Sequence, residues 1–146
     1  MRRSAQARLA TQQPAAATGT RVRACALVTK ADVKKHLPWA PMLDNMPIEE
    51  DAIGTSGSSC NYPSVTIQVL PFSPRTLDAV RKKDGTDAVG GVGDEAVFHR
   101  NPNGYGELYA KVGPHLLTLQ ATAEGDIDAV KPGVVNLAKA LVTKLR

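Results

Sequence analysis

Sulfur and aromatic rings are scarce in this chain: among 146 residues there are two cysteines, one tryptophan, two phenylalanines and three tyrosines. Two cysteines without a Cys-x-x-Cys spacing exclude a structural zinc site of the usual kind. His36, His99 and His115 are the only histidines, and no two have the i,i+4 spacing that presents a metal from one helix face. No stretch approaches the roughly 20 consecutive apolar residues of a membrane span. A hydrophobic signal-peptide core is missing too, so an exported domain is expected to have had its signal removed or replaced. No acid occurs before Asp32, whereas Arg2, Arg3, Arg8, Arg21 and Arg23 all fall in the first 23 residues. The net charge of +4 therefore resides in the N-terminal segment, because the remaining chain carries 13 Lys or Arg (18 less those five) against 14 Asp or Glu. A nearly neutral folded part lacks the clustered cations of a phosphate-binding surface, and no nucleic-acid partner is expected.

The length suits a single domain. Residues 1–22, rich in Ala, Gln, Thr and Arg without a hydrophobic period, read as a flexible basic leader, and residues 23–146 as the folded unit. Cys25 and Cys60 read as one disulfide stapling a small extracytoplasmic domain. Two buried, reduced thiols in a cytosolic protein are the alternative. The arginine at 23 argues against a lipid-modified Cys25.

Periodicity and turn residues then divide the folded unit. Thr29 can cap a helix with Asp32 at its third position and Val28 packing on Val33; Val33 and Leu37 share a face, and Pro38 ends it. Residues 38–59, with three prolines and the run from Gly54 to Ser59, read as a long connection. Val65, Ile67 and Val69 alternate with Thr66 and Gln68 as a strand, and Ser73-Pro74 opens a short helix that buries Leu77 and Val80. Beyond the glycine-rich turn at 90–94, three strands follow as a meander, separated by turns at Asn101–Gly104 and Gly113-Pro114. A helix from about Pro132 to Leu145 lines up Leu137, Leu141 and Leu145. The expected fold is an α+β two-layer sandwich, with an antiparallel sheet of about four strands and helices on one face.

Cys25-Ala26-Leu27-Val28-Thr29-Lys30-Ala31-Asp32-Val33 resembles the Cys-x-Leu-x-Thr-x-x-(Asp/Glu)-Val opening of a group of small bacterial secreted proteins and lipoproteins of unknown function, best known from actinobacteria. Ser59-Cys60-Asn61-Tyr62 resembles their Ser-x-Cys-x-(Tyr/Trp) segment, and Val92-Gly93-Asp94-Glu95-Ala96 their (Leu/Val)-Gly-Asp-x-Ala strand entry. The resemblance spans residues 24–145. It implies a Cys25–Cys60 disulfide and a location outside the cytoplasm, and it carries no activity.

Catalytic chemistry finds little support. Ser56, Ser58 and Ser59 lie in low-complexity sequence, not in a strand-to-helix nucleophile elbow. A Ser–His–Asp set drawn from Ser58, His99 and Asp94 can be composed from almost any chain of this make-up. Glu49-Glu50-Asp51 lacks the alternating ligand spacing of a calcium loop, and the glycines at 90–93 lead into a strand where a phosphate loop would lead into a helix. No catalytic residue, metal ligand or cofactor is assigned. What stands out is apolar material among prolines: Trp39, Met42 and Met46, joined by Tyr105 in the turn at 103–106, form a candidate binding patch. The expectation is a non-enzymatic, secreted or envelope-associated accessory domain, extracytoplasmic in location, that binds an envelope protein or a small apolar ligand. An envelope hydrolase with an unrecognised site is the alternative.

Overall fold

A computed structural model describes residues 21–146. Seven antiparallel strands form one sheet: β1 Glu49–Ile53, β2 Gly57–Asn61, β3 Val65–Pro71, β4 Thr86–Val89, β5 Glu95–Asn101, β6 Tyr105–Val112 and β7 His115–Thr122. Their order across the sheet is β1-β2-β3-β7-β6-β5-β4. Four α-helices, α1 Ala24–Leu27, α2 Lys30–His36, α3 Pro74–Arg81 and α4 Lys131–Leu145, pack against it, with two 3₁₀ turns, η1 Pro41–Asn45 and η2 Ile127–Ala129. The expected leader falls outside the described residues through position 20. Arg21 and Val22, which the sequence reading placed in that leader, are described. The Arg21 guanidinium donates to the carbonyls of Gly54, Thr55 and Gly57 at the β1–β2 turn, and Val22 packs against the core.

The register explains where the core sits. Side chains alternate between the two faces of a strand, and one buried row runs Phe98, Leu108, Leu119, Ile67 and Cys60 across five adjacent strands. Over this row lies α4, whose Val134, Leu137, Ala138 and Leu141 are fully buried. The row ends at Cys60, and the disulfide to Cys25 ties α1 to it. The α2 helix starts on a complete capping box: Thr29 Oγ1 accepts from the Asp32 amide, and Asp32 Oδ2 accepts from the Thr29 amide. That short contact to an amide, aided by Lys144, holds the Asp32 carboxyl below the usual carboxylate range.

Three expectations require correction. The sheet has seven strands where about four were expected. The segment 38–59 is not one long connection, because it contains η1, β1 and most of β2. The run from Gly57 to Ser59, which reads as loop material, belongs to a buried strand: Ser58 fits under the segment 21–25 and satisfies its hydroxyl by donating to Val22 O and accepting from the Ala24 amide. β4 was equally hidden, since Thr86–Val89 is short and mostly exposed. Finally, the helices do not share one face. Leu77 and Val80 of α3 pack on Val97, with Phe72 and Tyr109 beside them, and Val97 points away from its core-facing neighbours Ala96 and Phe98. The cross-strand pair Leu70 and Leu116 also lies on that second face, and beside it a polar row runs through His99, Glu107, Gln120 and Thr66.

Candidate functional site

At the sheet end formed by the start of β3 and the end of β7, a cleft of about 650 Å³ opens between two connections. One wall is the segment 37–43, with Leu37, Trp39, Met42 and Leu43; the other is the segment 121–130, with Ala121, Ala129 and Val130. Apolar groups predominate, as is usual for small-molecule sites. Leu37 and Val130 are buried and continuous with the main core, so the cleft is an opening in the core's edge.

Trp39 is held rather than free. Pro38 stops α2 and turns the chain outward, so that the indole lies edge-on to Tyr62 with ring centroids 6.5 Å apart. Its Nε1–H donates to Asp44 Oδ1 at 3.2 Å, and Lys34 Nζ lies 5.4 Å from the ring centroid while pairing with Asp44 at 2.6 Å. Lys34 is the main reason the Asp44 carboxyl lies below the usual carboxylate range. Burial raises the Tyr62 phenol above its ordinary value. A ring fixed on two sides in this way presents its remaining surface to the cleft with little conformational entropy to lose.

Met42 stands beside it, 71% exposed, and is the most exposed large apolar side chain among the described residues. The expected patch is partly assembled. Trp39 and Met42 line the cleft; Met46, 43% exposed, follows η1 outside it. Tyr105 is half-buried at the start of β6, paired in register with Thr122, which lines the cleft, but Tyr105 itself does not.

Ser64, Glu124 and Asp126 belong to the cleft and escaped the sequence reading. Pro63 was the one local signal, marking a turn between β2 and β3. Ser64 is set against β7 by the bond from the Thr122 amide to its carbonyl. Its Oγ is buried with no hydrogen-bond partner among the described residues. Asp126 caps η2 by accepting from the Asp128 amide at 2.9 Å.

No histidine lines this cleft. His99 lies on β5, buried, with Nδ1 2.9 Å from Thr86 Oγ1, a hydroxyl that also lies within hydrogen-bond distance of Val80 O. Ser58 is on β2, separated from β5 by three intervening strands, and Asp94 is engaged by the Gly113 amide, Lys111 and Arg146. The Ser58–His99–Asp94 combination is thus not brought together. Among the described residues no three His, Cys, Asp or Glu side chains converge as metal ligands, and no helix is long and apolar enough to cross a membrane. No family model, curated protein or solved structure matches the chain.

Proposed function

We propose that this chain is a non-enzymatic, extracytoplasmic accessory domain that binds a small apolar ligand in the Trp39–Met42 cleft. The observation that carries the reading is the cleft itself: about 650 Å³ of largely apolar space beside an indole held by Tyr62 and Asp44, with Met42 exposed at its side. A volume in the range of about 300–1,000 Å³ suits a small molecule. The Cys25–Cys60 disulfide supports an oxidising compartment, and so does the resemblance of the Cys25–Val33 and Ser59–Tyr62 segments to small secreted bacterial domains.

Thermal melting against a panel of apolar small molecules tests the proposal. A binder at about 100 times its Kd adds roughly 2.7 kcal/mol and raises the midpoint measurably. Ala129→Phe, which adds a ring to an exposed position in the cleft wall, is expected to abolish the shift while leaving the unliganded midpoint close to that of the parent. A panel that leaves the midpoint unmoved, or a shift unaffected by Ala129→Phe, contradicts the assignment.

A further inference from the structure

The cleft's charged lining is of one sign. Glu124 and Asp126 are its only charged residues, both are exposed, and neither is in an ion pair among the described residues. The neighbouring acids differ: Asp44 is paired with Lys34, and Asp128 with Arg100 at 2.6 Å. No lysine or arginine lines the cleft, and Lys34 and Lys131, which adjoin its walls in sequence, are paired with Asp44 and Asp87. Glu124 and Asp126 therefore bring uncompensated negative charge to a pocket whose body is apolar.

We infer that the cleft selects an amphipathic organic cation, a molecule with an apolar body and an ammonium or amidinium group. This rests on the proposed ligand-binding role of the same cleft. The apolar body lies against Trp39, Met42 and Val130; the cationic N–H groups meet Glu124 and Asp126. An organic anion of the same shape meets two acids and no lysine or arginine in the lining. The chain's overall charge of +4 works in the opposite direction. Any preference for a cation must therefore be local to the cleft, which makes it diagnostic.

Three ten-carbon probes below their micelle concentrations separate the possibilities: decylammonium, decanol and decanoate, titrated into the full chain at pH 7 by calorimetry with Trp39 emission as a second readout. Decylammonium is expected to bind about tenfold tighter than decanol, from two exposed charges each contributing a factor of up to about five, with decanoate weakest. The double variant E124Q/D126N is expected to remove the preference, so that decylammonium and decanol bind that variant with similar affinity. An amide at 126 still caps η2, so the fold is kept, and an unchanged melting midpoint checks this. High salt should shrink the preference in the parent. Equal binding of all three probes, a preference for decanoate, or a decylammonium preference that survives E124Q/D126N overturns the inference while leaving ligand binding in place. If none of the three binds, the ligand-binding role falls with it.

Discussion

Trp39 is the residue on which the site is built, and its environment lies between the two extremes that its sequence context suggests. It is partly buried, packed on the core's edge and tethered by Asp44, yet it borders open space. A fully buried aromatic replaced by alanine costs about 3–5 kcal/mol, so Trp39→Ala is expected to cost about 2 kcal/mol, read from urea denaturation, and to weaken ligand binding as well. Loss of the whole 3–5 kcal/mol with binding unchanged would reduce the indole to a packing element. Gly93 makes a different demand. Its φ is +60°, and an added Cβ would lie 2.4 Å from Lys111 O. This geometry lets Asp94 follow immediately and accept from the Gly113 amide at 2.8 Å, which locks the β6–β7 turn to the start of β5. Gly93→Ala should therefore lower the unfolding free energy, read from urea denaturation, by more than the roughly 1 kcal/mol of an ordinary glycine replacement. A midpoint within error of the parent would contradict the contact. Trp39 and the Val-Gly-Asp run were legible because each is locally unusual. Ser64 and Val130 were not, because they join the cleft only when β3, β7 and η2 converge.

Periodic elements could be read before the fold was known, and irregular ones could not. α2, α3, α4 and the strands β3, β6 and β7 announce themselves through caps, prolines and alternation. β2 is built of Gly57, Ser58, Ser59 and Cys60, so its burial has no hydrophobic signature; the segment 21–25 laid over it supplies the cover. The approach of α2 to α4 is another feature set by tertiary contact. A Cβ on Gly133 would sit 1.9 Å from His36 O. Alanine favours helices by about 1 kcal/mol over glycine, yet Gly133→Ala is expected to destabilise, because the end of α2 must retreat; a rise in thermal midpoint would contradict this close approach. The η1 turn also links to pH. Asp44, held below the usual range chiefly by Lys34, binds fewer protons folded than unfolded. Its contribution is therefore complete above the unfolded carboxylate value of about 3.9 and is lost as pH falls through its lowered folded value. Protonation there removes the anion that holds Lys34 beside the indole. Trp39 emission, the only tryptophan signal, should change in that acid window, and Asp44→Asn should flatten the change. An emission that is constant down to pH 2 would contradict the coupling.

At the scale of the molecule, a seven-stranded sheet covered by α1, α2 and α4 on one face and by α3 over part of the other places the cleft where the main core meets two connections. The disulfide closes a separation of 35 residues, from α1 to β2. In the chain-entropy account a loop of that size contributes about 3–4 kcal/mol, so reduction should lower the thermal midpoint by roughly 10 °C or more. A midpoint unchanged by reduction would show that α1 is held by packing and by the Glu50 contact to the Cys25 amide instead. The cleft beside Trp39 is the proposed place where this domain meets its ligand. The most direct test is the amide spectrum of the labelled protein during titration with decanol. Shifts confined to residues 37–43, 63–64 and 121–130 are the predicted result. Shifts gathered on the opposite face around Leu77 and Val97, or none at saturating probe, would contradict it.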